Sequence, residues 1–249
     1  TRSDRDWSSD VCSSDLLYKA LPLGVPQSLH IDIGNLCNFK CTFCPTGDST
    51  LLAKVNRPKG MMPFELFKKI IDDLKEMCDS TGGMVEEMHL YKDGEPMIHK
   101  ELGKIIAYAK QSGTALSVET TTNGSLLTKE KAVEIIEAGL DVLRVSIEHV
   151  SSEGYKKITQ NYSDYEKIKE NVKYLYEEKK KRNSPLRIKV KIVDVNLTEN
   201  EIEKFKEDFG PLSDILNINQ LMGWSNSGMK DFTLDRKSTR LNSSHDQIS

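Results

Sequence analysis

Three cysteines fall within eight residues in the stretch Asn35-Leu36-Cys37-Asn38-Phe39-Lys40-Cys41-Thr42-Phe43-Cys44-Pro45, spaced CxxxCxxC. So tight a run cannot supply three scattered core positions. The thiolates converge on one another or on something held between them. Three cysteine ligands without an obvious fourth point to a 4Fe–4S cluster with one iron left open. Two other readings compete. A structural zinc site needs a fourth ligand, for which His30, His89 and His99 are on offer. A ferredoxin-like electron carrier needs a fourth cysteine, and Cys78 is too far along the chain unless it is recruited across a helix.

The elements around the cysteines alternate between two periods. Strand-like runs are expected near Ser28 to Ile33, Val85 to Tyr91, Ala115 to Thr120, Asp141 to Ile147, Leu186 to Val195 and Asp214 to Asn219. Helix-like runs lie between them. Pro63 opens the first, with Phe64, Phe67, Ile70, Ile71, Leu74 and Met77 at helical spacing. Cys78 extends that stripe and reads as a small buried hydrophobe. Further helices are expected near Lys100 to Gln111, from Thr128 to Ala138 with Gly139 as the stop, and from Ser163 to about Arg182. Ser163 with Glu166, and Thr198 with Glu201, fit capping boxes. Six strand-to-helix alternations demand parallel strands and right-handed crossovers. A doubly wound sheet and a barrel both satisfy that demand.

The polar signatures share one position in this scheme. The cysteines follow the first strand, Gly94-Glu95-Pro96 the second, and Thr121 to Gly124 the third. Ser146 and Glu148 end the fourth, Asn196 follows the fifth, and Gln220 the sixth. All lie at the C-terminal ends of parallel strands, the edge that carries active sites in barrels and open α/β sheets. Singly, each has an ordinary reading: Asn-Gly is a common turn, Gly-Glu-Pro a helix entry, Ser146 a core hydroxyl. Their coincidence on one rim is what those readings leave unexplained.

The CxxxCxxC loop with Phe43 before its last cysteine, then Gly-Glu-Pro after the next strand, Asn-Gly and Val-Ser-Ile-Glu, resembles the radical S-adenosylmethionine (radical SAM) superfamily from Gln27 to Trp224. The resemblance implies an α/β fold, a partial (β/α)6 TIM-like barrel. It implies that Cys37, Cys41 and Cys44 ligate a 4Fe–4S cluster whose open iron is chelated by SAM. Phe43 would sit near the adenine. Gly94, Glu95 and Pro96 would bind the methionine ammonium. Ser146, with Asn123, would face the ribose or methionine carboxylate, and Glu148 stands where many relatives carry Asp. Many relatives also carry an Arg at the position of Thr159, so Lys157 or a residue elsewhere would take its place. The activity implied is reductive cleavage of SAM to a 5′-deoxyadenosyl radical that takes hydrogen from a substrate, as in dehydrogenation or peptide modification. A small-molecule or peptide substrate and a reductant such as a ferredoxin or flavodoxin are the partners implied. The stretch at Gly223-Trp224 resembles the barrel exit of members with a further cysteine-rich SPASM or twitch domain, which an intact gene is expected to encode.

Composition bounds the rest. The chain has 249 residues, is 37% hydrophobic and 29% charged, and carries a net charge of -3. That balance fits one globular α/β domain and gives neither a nucleic-acid nor a membrane footprint. The run Glu177 to Arg182 reads as a solvated helix end. The two ends differ in character. Asp6 to Leu16 and Asp235 to His245 resemble translated sequencing-adapter sequence, so residues 1–16 and 235–249 are set aside as non-native tails and 17–234 taken as the barrel domain. Cys12 leaves the count with them. The remaining clustered cysteines fit metal in a reducing, cytoplasmic compartment.

Overall fold

A computed structural model describes residues 23–48, 54, 56 and 58–220. The terminal segments and Gly223-Trp224 lie outside them. Six strands form one sheet in the order β1 to β6: β1 (Ser28–His30), β2 (Val85–His89), β3 (Ala115–Thr122), β4 (Val142–Ile147), β5 (Arg187–Asp194) and β6 (Ile215–Gln220). Every neighbouring pair is parallel. This order separates the two architectures that alternation leaves open. Sequential parallel strands joined by right-handed crossovers place all the helices on one face, and the sheet curls around the other. The result is a partial barrel, with β1 and β6 as its edges among the described residues.

The covering helices are α1 (Phe64–Thr81), α2 (Leu102–Ser112), α3 (Lys129–Glu137), α4 (Ser152–Thr159), α5 (Tyr165–Lys181) and α6 (Glu199–Phe209). Their ends follow local chemistry. Thr128 caps α3 through a hydrogen bond from Lys131 N–H, and Thr198 with Glu201 forms a reciprocal capping box on α6. The apolar stripe of α1 buries Phe64, Phe67, Ile71, Leu74 and Cys78, while Met77 turns outward. Helix–sheet packing makes one continuous core. Ile188, Val190 and Ile192 of β5 are fully buried in it, as are Phe205 and Phe209 of α6. No helix among the described residues is long and apolar enough to cross a membrane.

Two expectations are corrected here. The stretch between β4 and Ser163, where the sequence pattern predicts no helix, contains α4, capped by Ser151 through Gly154 N–H. It escapes periodicity because it has only two turns and is interrupted by Gly154. That glycine is required: a Cβ there would lie 1.9 Å from the His149 ring. In addition, α5 is capped by Asp164, whose carboxylate accepts from Glu166 and Lys167 N–H, rather than by Ser163.

Candidate active site

The cysteine loop leaves β1 and crosses the C-terminal rim of the barrel. Its backbone is tied to α4. Lys40 N–H donates to Thr159 O and Thr42 N–H to Ile158 O, each at 2.9 Å. These are carbonyls of a helix end, which have no partner within their own helix. Phe39 plugs the loop into the core, edge-on to Tyr155. Within the loop Cys44 N–H donates to Cys41 O at 3.0 Å. Cys37, Cys41 and Cys44 are all free thiols.

Cys37 is exposed as a residue, but the protein around its sulfur desolvates the thiol and pushes it up to about 11, with Glu95, Cys44 and Glu148 adding to the rise against a hydrogen bond from Phe39 N–H. Burial raises Cys41 further, and Glu148, Cys44 and Cys37 all push the same way. Neighbouring charge therefore disfavours ionisation of Cys37 and Cys41, and a bound cation would relieve that penalty. The donors offered are three soft thiols from one loop, the set that a 4Fe–4S cluster with an open iron uses. The zinc reading loses its fourth ligand. His30 stacks on His89 at 4.3 Å inside the barrel, and His99 is held by Met62 O and Glu101 N–H. Cys78 is buried beneath α1, its sulfur directed at Thr114 O. Among the described residues no group of His, Cys, Asp and Glu converges on a single-ion site.

The Gly-Glu-Pro loop is stitched to the same rim. Glu95 N–H donates to Leu36 O at 2.8 Å. Gly94 sits at φ +77, and a Cβ there would lie 2.7 Å from Leu36 O and 2.9 Å from Gly34 O. Both the left-handed backbone and the close approach of two chains require glycine. The Glu95 carboxylate is 2% exposed. Its Oε1 accepts from Thr122 Oγ1 at 2.8 Å and Met97 N–H at 3.0 Å, and its Oε2 from Asn123 N–H at 2.6 Å. It thus clamps the end of β3 to the loop after β2. Burial pushes its pKa up to about 7, against the pull of those donors.

Asn123 joins the third rim loop to the cysteines. Its Nδ2 donates to Asn38 Oδ1 at 2.9 Å, and its Oδ1 accepts from Ser125 Oγ at 2.6 Å. Asn38 in turn donates to Ser125 Oγ at 2.8 Å and receives Asn161 Nδ2 on its carbonyl. Asn38 and Asn161 were missed in the sequence. Asn38's place between two ligand-spaced cysteines was the available signal; its partners lie 85 and 123 residues away.

Ser146 follows Arg144 on the interior face of β4, and Glu148 lies just beyond the strand's end. Glu148 is 8% exposed, and no hydrogen bond or ion pair to its carboxyl is found among the described residues. Burial pushes its pKa up to about 7, opposed by Lys191 on β5. Stability carried by the protonated form is complete below the ordinary carboxylate range and is lost as pH rises through about 7. In the metal-free chain, a Glu148→Gln substitution is therefore expected to flatten the fall in stability between about pH 4.5 and 7. The effect is at most about 3 kcal/mol, read from denaturant midpoints. An unchanged slope would refute it.

Phe43 is half-buried on the loop between Cys41 and Cys44. Lys157 points away from the rim and pairs with Glu153 at 2.8 Å, both exposed. Thr159 is buried, its hydroxyl donating to Tyr155 O. Neither supplies a cation to the site.

The profile of the Radical SAM superfamily matches residues 31–209. The chain belongs to the Radical SAM superfamily. Among curated relatives, it is 27% identical to a GTP 3′,8-cyclase of Rhizobium etli over 146 residues, 58% of this chain and 38% of that protein. It is 28% identical over 120 residues to the tungsten-containing aldehyde ferredoxin oxidoreductase cofactor-modifying protein of Pyrococcus furiosus, 48% of this chain and 30% of that one. Among solved structures, Streptococcus suis SuiB bound to S-adenosylmethionine superposes with a TM-score of 0.65 at 16% identity. That match covers 85% of this chain and 44% of SuiB, so it shows the shared fold. The chain matches less than half the length of each of these proteins. Members of this superfamily are enzymes whose cofactors are a 4Fe–4S cluster and SAM, and free thiols from one loop are the donor type such a cluster takes.

Proposed function

We propose that this radical SAM barrel cleaves S-adenosylmethionine reductively to start hydrogen abstraction from a small-molecule or peptide substrate, with a ferredoxin- or flavodoxin-like reductant. The observation that carries the reading is the single rim. Three free thiols without a fourth ligand, the Gly-Glu-Pro loop and Asn123 are hydrogen-bonded into one unit there. Cys37, Cys41 and Cys44 would hold three irons. When bound, the reduced cluster supplies one electron to the SAM sulfonium.

The chain's own residues bind and orient. Gly94, Glu95 and Pro96 would hold the methionine ammonium, with the Glu95 clamp fixing that loop's distance from the cysteines. Ser146 and Asn123 would face the ribose or carboxylate, and Phe43 would cover the adenine. Glu148, whose carboxyl pKa burial raises in the free chain, would line the SAM site, where the sulfonium charge would favour its ionised form. The barrel wall limits access of water and oxygen.

The test is anaerobic reconstitution with iron and sulfide. A brown protein with about four irons per chain should form 5′-deoxyadenosine from SAM under dithionite. A colourless chain that takes up zinc instead would sink the reading. A loaded cluster without SAM cleavage would favour an electron carrier.

A further inference from the structure

The interior face of the sheet carries charge that the rim does not use. Most of it is paired. His89 Nε2 lies 3.2 Å from the Glu87 carboxylate, and Arg144 donates to Glu119 Oε2 from both Nε and Nη2. Lys189 and Lys191 on β5 differ. Neither makes a hydrogen bond or ion pair among the described residues, and burial lowers the pKa of both. They alternate with Ile188, Val190 and Ile192, which are fully buried under the helices, so both lysines face the interior. Being two residues apart on one strand, they are separated by about 6.6 Å. The register sets Lys189 beside Arg144, and Lys191 between Ser146 of β4 and Asn217 of β6.

Glu148 faces Lys191, and Glu119 and Glu87 face Lys189, but none comes within ion-pair distance. Two ammonium groups held partly out of water on those terms are costly, and a bound anion offsets that cost. Flanking hydroxyl and amide groups supply the remaining hydrogen bonds to an oxyanion. We propose that the interior face of β5 is an oxyanion subsite: Lys189 and Lys191 bind a phosphate or carboxylate group of the substrate below the rim. The proposal rests on the rim being the SAM site, and it narrows the substrate class to an anionic molecule.

The test titrates inorganic pyrophosphate and, separately, glutarate into the reconstituted protein at pH 7 and low salt, followed by calorimetry. Saturable binding of at least one is expected, weakened about tenfold or more in K189M/K191M. The lysine-to-arginine pair should keep it, and K156M, on the exposed face of α4, should leave it unchanged. Tighter binding of pyrophosphate assigns a phosphorylated substrate, and tighter binding of glutarate a carboxylate. Removing desolvated charges is not expected to unfold the barrel, and K189Q/K191Q serves if the methionine pair does. Binding of neither probe, or equal binding in the double variant, would overturn the subsite. So would loss of SAM affinity alone in K191M, which would give that lysine to the SAM carboxylate instead. Cluster uptake and SAM cleavage, measured on the same preparations, report on the rim separately. If they fail while lysine-dependent oxyanion binding persists, the rim reading falls and the subsite stands.

Discussion

Replacing Cys41 by serine is expected to abolish SAM cleavage while leaving the barrel folded. Cys41 is strongly set against ionisation in the metal-free chain: burial, Glu148, Cys44 and Cys37 all oppose it. A bound iron is what would reverse that balance, because its positive charge is delivered to the sulfur directly. A serine hydroxyl is harder and far less acidic, so the cluster loses one of its three protein ligands. Iron content should fall from about four per chain to below about one. Production of 5′-deoxyadenosine should drop by at least about a thousandfold, equal to some 4 kcal/mol of barrier. The loop itself should stay in place. Its ties to α4 run through the backbone of Lys40 and Thr42, and its plug is Phe39. Thermal unfolding of the metal-free variant should match the parent within about 2 °C, well under the shift that 1 kcal/mol produces in a domain of this size. Full iron content with undiminished cleavage would remove Cys41 from the ligand set.

Glu95→Ala is expected to be the most destabilising single change at the rim. Its carboxylate receives Thr122 Oγ1, Asn123 N–H and Met97 N–H in a site sealed from water. Truncation strands all three donors at about 1–3 kcal/mol each. Part of that is recovered if water enters the cavity, so a loss of about 4 kcal/mol and a Tm drop of about 10 °C are expected. Glu95→Gln keeps one accepting oxygen but turns an NH2 toward a donor, and should fall between alanine and the parent. SAM affinity should fall in both variants, since the clamp sets where the Gly-Glu-Pro backbone meets the cysteine loop. A Glu95→Ala protein with parental Tm would show that the clamp carries no energy.

These two residues mark the boundary between what is local and what is not. Ligand spacing is local. Three cysteines in eight residues must meet wherever the chain goes, so the cluster was legible from residue types alone. Caps such as Thr198 with Glu201 are settled within one helical turn and were legible for the same reason. The alternation of strand and helix demanded parallel pairing with right-handed crossovers, which left a doubly wound sheet and a barrel both open until the strand order β1 to β6 decided between them. The short helix α4 was not legible, because two turns with an internal glycine leave too few apolar positions to show a period.

The sequence by itself therefore determined the cysteine spacing of the candidate cluster loop, the six-fold alternation and the rim on which the polar motifs gather. Only the tertiary structure decided what those polar groups touch. Glu95 reaches Asn123 across 28 residues and Asn38 reaches Asn123 across 85, distances over which no periodicity carries information. The interior charge lies between the two cases. Arg187, Lys189 and Lys191 alternate visibly with Ile188, Val190 and Ile192. Alternation says that one face is polar, but not that this face is the inside of a barrel. That follows from the sequential strand order, which puts every helix on the apolar side and leaves the charged side facing the barrel interior.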